Sequence, residues 1–166
     1  MQYEWINNVA DVTPDYTIIY FDDNFNQEIK LNSLPENLTT LGFGKNFNQG
    51  IESNTLPENL TTLTFGHGFT QKLETNSLPK NLANLIFGNN FNQGIDPNTL
   101  LKNLTTLTFG HGFNQKIKLN TLPDSITTLT FNGEFNQKIE PNTLPEKLTN
   151  LTFGRNFNQK IELLNF

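Results

Sequence analysis

Apolar positions recur along this chain on a 22-residue frame and not on a helical one. Leu41, Leu63, Leu85, Leu107, Leu129 and Leu151 are spaced 22 apart, and each is followed two residues later by Phe43, Phe65, Phe87, Phe109, Phe131 or Phe153. A second aromatic column, Phe25, Phe47, Phe69, Phe91, Phe113, Phe135 and Phe157, keeps the same spacing. Within a unit, Leu107-Thr108-Phe109 alternates apolar and polar side chains, which is the period-two pattern of a half-buried strand. Gly110 breaks the run, as do Gly44, Gly66, Gly88 and Gly154 in the same column, and predicts a bend. Phe113 to Ile117 reads either as a second short extended piece or as a looser turn, and Leu122-Pro123-Asp124-Ser125 reads as a Pro-led turn into the next strand. No helical stripe is sustained, and the load of Pro, Gly, Thr and Asn is poor for helix.

A unit this short cannot bury its own apolar residues, so copies must stack. The pattern predicts a mainly β fold: a single right-handed parallel β-solenoid of about seven 22-residue coils, with little or no helix. Strands about 4.8 Å apart would make a rod on the order of 35 Å long. Leu104, Leu107, Phe109, Phe113, Ile117 and Leu122 are the expected core of one unit. Regular units begin at Leu38, after a degenerate one from Tyr16 to Leu34. The expected division is residues 1–15 as an N-terminal cap carrying Trp5, Ile6 and Val9, 16–162 as the repeats, and 163–166 as a C-terminal cap or contact segment. The invariant Asn and Gln columns, such as Asn32 to Asn142 and Gln27 to Gln159, predict amide ladders between coils.

Stacking accounts for a composition that is lean for a globule, with 35% hydrophobic residues and fifteen Phe, fourteen of them in the two columns. With 16 acidic and 11 basic residues the net charge is −5, which argues against a nucleic-acid or anionic-membrane partner. The absence of Cys excludes disulfides and thiolate metal sites. The start, Met1 to Asn8, has no basic leader before an apolar run, and no apolar stretch approaches the roughly 20 residues of a membrane span. A cytoplasmic protein, of its own cell or of a host cell, is expected.

The motif Leu-Pro-x-x-Leu-Thr-x-Leu-x-Phe-Gly-x-x-Phe-Asn-Gln-x-Ile resembles the FNIP repeat, a leucine-rich-repeat-like unit of social amoebae and of giant viruses that infect amoebae. The resemblance covers residues 16 to 162 and is specific, because the two Phe, the Asn-Gln pair and the Leu-Pro recur together. Thr70 departs from the Asn, Asn132 from the Gly, and Leu101 from the Pro. In that family the repeats often follow an F-box that recruits a ubiquitin ligase. The residues ahead of Tyr16 are too few for one, so the resemblance implies an interaction module whose partner it does not name.

In a solenoid the invariant columns maintain the fold, and discrimination falls to the variable outward columns. The candidate partner-binding residues on the strand face are Tyr20, Thr40, Thr62, Thr64, Asn84, Thr106, Thr108, Thr128, Thr130 and Thr152, with Arg155 beyond the Gly. The function read from them is a non-enzymatic scaffold for protein–protein interaction. A homodimer through the end coils, with Leu163, Leu164 and Phe166 as candidate contacts, is a related option. An alternative comes from the Thr-x-Thr pairs, whose lattice is similar to the face of insect-type ice-binding solenoids, although Thr is also simply a good strand residue. No catalytic residue, metal site or cofactor site is expected. His67 and His111 stand two coils apart, roughly 10 Å between backbones, and the outward Thr have no base beside them.

Overall fold

In a computed structural model, residues 5–161 are described. Their strands are β1 (Trp5–Ile6), β2 (Ile18–Phe21), β3 (Thr40–Gly42), β4 (Thr62–Thr64), β5 (Asn84–Ile86), β6 (Thr106–Phe109), β7 (Thr128–Phe131) and β8 (Asn150–Phe153). They form one parallel eight-stranded sheet in sequence order. From β2 to β8 the register never slips from the repeat: Leu41 pairs with Leu63, Leu63 with Leu85, Leu107 with Leu129. A one-residue slip would turn every Leu outward, so the alternation itself holds the pairing. The fold is the β-solenoid that the periodicity predicts, and the only helix among the described residues is a single 3₁₀ turn, Val9–Asp11.

Each coil contributes the expected core. Leu104, Leu107, Phe109, Phe113, Ile117 and Leu122 are all at most 6% exposed. The two Phe of a coil stack on one another, as in Phe109 and Phe113 with centroids 3.8 Å apart, and each also meets its copy in the next coil, as in Phe87 and Phe109 at 5.5 Å. Fully burying a Phe side chain is worth roughly 1.5–3 kcal/mol, and stacked rings add about 0.5–1.5 kcal/mol per pair. The degenerate unit packs as a full coil, with Phe21 and Phe25 buried. Its Asp22 occupies the Gly column and accepts the amides of Asn24 and Phe25.

One local expectation, that for the Asn32 column, needs correction, and two others become specific. Residues 113–117 form no strand, and neither do their counterparts in the other coils. The Asn114 amide donates to the Asn92 side-chain oxygen one coil back, at 2.9 Å, so a side-chain ladder replaces a backbone one. This ladder runs through the Asn-Gln pair: Gln115 donates to Asn92 Oδ1 at 3.2 Å, and Gln137 to Asn114 Oδ1 at 3.1 Å. The Asn32 column, by contrast, serves the backbone. Asn32, Asn54, Asn76, Asn98, Asn120 and Asn142 all have φ between 61° and 66°, the left-handed region that Asn tolerates better than most residues. The Gly column does open the expected bend, where the Phe113 amide donates to the Gly110 carbonyl at 3.4 Å, but it also serves a second purpose. A Cβ on Gly88 would fall inside the Gly66 carbonyl oxygen, so glycine lets the coils approach. In the sixth coil Asn132 takes this place, and the next residue, Gly133, adopts φ +51°.

One column escaped sequence reasoning. The hydroxyls of Thr39, Thr61, Thr105 and Thr149 each donate to a carbonyl of the preceding coil, at 2.9–3.2 Å. These side chains stitch the starts of β3, β4, β6 and β8 to the preceding coil, which a polar residue flanking a strand does not advertise.

Candidate interaction groove

The sheet face and the loops that follow its strands enclose an open groove of about 540 Å³ running along the stack. Its floor is the second outward strand column: Tyr20, Gly42, Thr64, Ile86 and Thr108. Its wall is the loop column of Asp23, Lys45, His67 and Asn89. Period-two alternation turns the floor residues outward, and the 22-residue repeat aligns them coil after coil.

The N-terminal end is aromatic. The Tyr20 ring lies over Gly42, where any Cβ would collide with it, so the loss of Thr from the column at Gly42 makes room for the ring. Trp5 stands beside it, with centroids 5.9 Å apart and planes tilted by 47°. β1 holds Trp5 there by pairing with Tyr20, and the indole is 71% exposed. Sequence reasoning placed Trp5 in a cap and missed its place in the groove. The usable signal was the coincidence of two departures, Tyr20 and Gly42, in adjacent coils.

The groove gathers only part of the candidate set. Tyr20, Thr64 and Thr108 line it. Thr40, Thr62, Asn84, Thr106 and Thr128 form the parallel outward column, where Asn84 donates to the Thr62 hydroxyl at 3.2 Å. Thr130 and Thr152 continue the floor column in the last coils, and Arg155 is exposed in the last loop. Leu163, Leu164 and Phe166 lie outside the described residues.

In the loop column His67 Nδ1 and Asn89 Nδ2 are 3.5 Å apart, and the His111 ring is 3.8 Å from the Glu134 carboxylate. Among the described residues no three His, Cys, Asp or Glu side chains gather as a metal site. On the far side of the coil Lys72 pairs with Asp96 across coils at 2.7 Å, and Lys118 approaches the same carboxylate at 3.7 Å. The hydrogen bond from Lys72, then its charge, hold the Asp96 carboxyl below the usual range, and the same contact raises the Lys72 ammonium. No helix among the described residues is long and apolar enough to cross a membrane.

Seven overlapping stretches between residues 16 and 166 match the FNIP repeat, the first at 16–46 and the last at 135–166. The chain belongs to the FNIP repeat family. A similar solved structure is CroV588, described as a circular LRR protein and of giant-virus origin, which shares 44% identity at a TM-score of 0.81. The match takes in 91% of this chain and 26% of that one, so the FNIP array here spans about a quarter of its length. No curated protein matches the chain.

Proposed function

We propose that this FNIP solenoid is a non-enzymatic scaffold that binds another protein along the groove, anchored by Trp5 and Tyr20. The observation that carries the reading is the exposed indole beside the Tyr20 ring, at the end of a floor continued by Gly42, Thr64, Ile86 and Thr108. Large aromatic side chains dominate binding hot spots, and small neighbours that exclude water complete them. A photo-crosslinking residue at Lys45, in the groove wall, should capture a partner from cell extract that the same residue at Ser53, away from the groove, does not. Trp5→Ala with Tyr20→Ala should abolish the capture. Equal capture at both positions, or capture indifferent to the aromatic pair, refutes the reading.

A second reading, end-on self-association, draws support from the last described coil. Leu148, Leu151, Phe153 and Phe157 are half-buried there, whereas their counterparts in the preceding coils are buried. The similar CroV588 is described as a circular LRR protein, a shape to which unpartnered solenoid ends are relevant. The Thr-lattice alternative has less behind it. Thr-x-Thr pairs occur in adjacent coils only at Thr106/Thr108 and Thr128/Thr130, because Gly42, Asn84 and Ile86 interrupt the lattice. Thermal hysteresis is its test.

A further inference from the structure

In a repeat array the residues that break the pattern are free of the stack's demands, and three such breaks fall together. The column after the Leu-Pro turn reads Glu36, Glu58, Lys80, Lys102, Asp124, Glu146, so its sign reverses for two coils and then returns. All six side chains are exposed. Beside the reversal, Leu101 takes the place that proline holds at Pro79 and Pro123 in the flanking coils. A hollow of about 540 Å³ opens at this point, lined by Leu100, Leu101 and Pro123, with Lys80, Lys102 and Asn103 among its other walls. Among the described residues no ion pair engages Lys80, Lys102, Asp124 or Glu146.

The order of charges constrains what can cover this edge. Read in reverse, the column is unchanged, so a second copy laid antiparallel presents the same series. A two-fold axis between Lys80 and Lys102 would set lysine against lysine and acid against acid. An axis moved by one coil in either direction sets every facing pair opposite in sign. One such axis lies between Glu58 and Lys80, the other between Lys102 and Asp124. Two observations favour the second. The apolar hollow reaches from Lys80 to Pro123 and so lies next to it. The Glu58 carboxylate already accepts the Lys80 backbone amide at 3.2 Å, whereas Asp124 and Glu146 have no such engagement.

We propose that this edge is a self-recognition surface on which two copies of the chain pair antiparallel about an axis between Lys102 and Asp124. Lys80 of each copy faces Glu146 of the other, and Lys102 faces Asp124. The two Leu101 side chains meet in the hollow near the axis. The contact is isologous: acid pair and base pair stand on one column at the same coil spacing, about 4.8 Å, which is what a closed two-fold contact between identical surfaces requires. Exposed ion pairs contribute little individually, so the apolar hollow supplies the attraction and the charges set register and orientation. The surface is separate from the groove and from the half-buried last coil, and the inference depends on neither.

Sedimentation of the full chain over a range of concentrations tests it. The wild type should dimerise, more weakly as salt rises from about 0.05 to 0.5 M and the screening length shrinks. Leu101→Pro installs the residue that five other units carry there, namely Pro35, Pro57, Pro79, Pro123 and Pro145. It should keep the circular dichroism of the wild type, and its melting at concentrations where both are monomeric, and weaken dimerisation at least tenfold. Lys80→Glu with Lys102→Glu should be monomeric alone, as should Asp124→Lys with Glu146→Lys, and an equimolar mixture of the two should form a heterodimer. Glu36→Lys with Glu58→Lys should dimerise like the wild type. A wild type that stays monomeric at every concentration overturns the proposal, as does a mixture that fails to pair. A dimer indifferent to Leu101→Pro and to both charge reversals overturns it in favour of another surface.

Discussion

Phe91→Ala, compared with Phe157→Ala, tests whether the stack is what holds this protein together. Phe91 is fully buried, with Phe87 at 3.9 Å in its own coil and Phe69 and Phe113 at 6.0 and 6.1 Å in the coils on either side. Truncating an enclosed Phe costs roughly 3–5 kcal/mol, more where the surroundings cannot collapse into the space. Here the sheet ladder holds the coil spacing on both sides, helped by Gln93 donating to the Thr70 carbonyl on one and by Asn114 and Gln115 donating to Asn92 on the other, so about 4–5 kcal/mol is expected. Phe157 is half-buried, with Phe153 at 3.8 Å and Phe135 at 6.0 Å. Its removal forfeits less buried area and leaves a space open at the edge, and about 1–2 kcal/mol follows. Urea unfolding followed by circular dichroism measures both, with Trp5 emission as an independent report on the first coil. Phe157→Ala should lower the circular-dichroism midpoint slightly and leave the Trp5 midpoint in place, because a linear stack unfolds from its weaker end. Equal costs for the two substitutions would refute the nearest-neighbour picture.

The turn asparagines, the glycine column and the cross-coil ion pair each make a further prediction. Asn98→Gly should change stability by no more than a few tenths of a kcal/mol, whereas Asn98→Val should cost about 1–3 kcal/mol, because φ is 66° there and a β-branched residue is strained in that region; thermal melting separates them. Gly88→Ala should destabilise by about 1–3 kcal/mol or more, since the methyl group meets the backbone carbonyl of Gly66, which the sheet does not let move; a wild-type melting curve would contradict the close-approach reading. Asp96 should titrate below the ordinary aspartate range by NMR and return toward it in Lys72→Ala. A carboxyl depressed in the folded state adds stability above its unfolded value and loses it as pH falls through the folded value, so any contribution disappears only in acid.

The fold was legible because every coil repeats the same sentence. Alternation at Leu107-Thr108-Phe109 identified the strand and its inward side, and the constant spacing of the Phe columns identified the register. The misreadings came from residues whose role depends on the neighbouring coil. Asn120 looked like a ladder member and is a left-handed turn residue; Gly110 marks the expected bend but is also a point of close approach; Phe113 to Ile117, legible only as an extended piece or a looser turn, is held by side-chain bonds to Asn92 and its counterparts. Of the candidate surface, Tyr20, Thr64 and Thr108 were named from outward alternation, but alternation does not distinguish the column beside the loops from the one beyond it. Trp5 was expected in a cap ahead of the first coil, and nothing in the repeat predicts the strand that sets it beside Tyr20.

By itself, the sequence determined that this chain is a stack of 22-residue coils with a Phe and Leu core, and that it belongs among FNIP-like repeats. Periodicity carries that information because each unit must bury its apolar residues against its own copies, which leaves a single register. The tertiary structure decided what the breaks in the pattern do. Tyr20 rests on Gly42 with Trp5 beside it, and Leu101 lines a hollow that reaches from Lys80 to Pro123, because each of these contacts joins residues about one coil apart or more. Such contacts depend on the distance of closest approach between coils, a quantity set by the packed stack and written in no single unit.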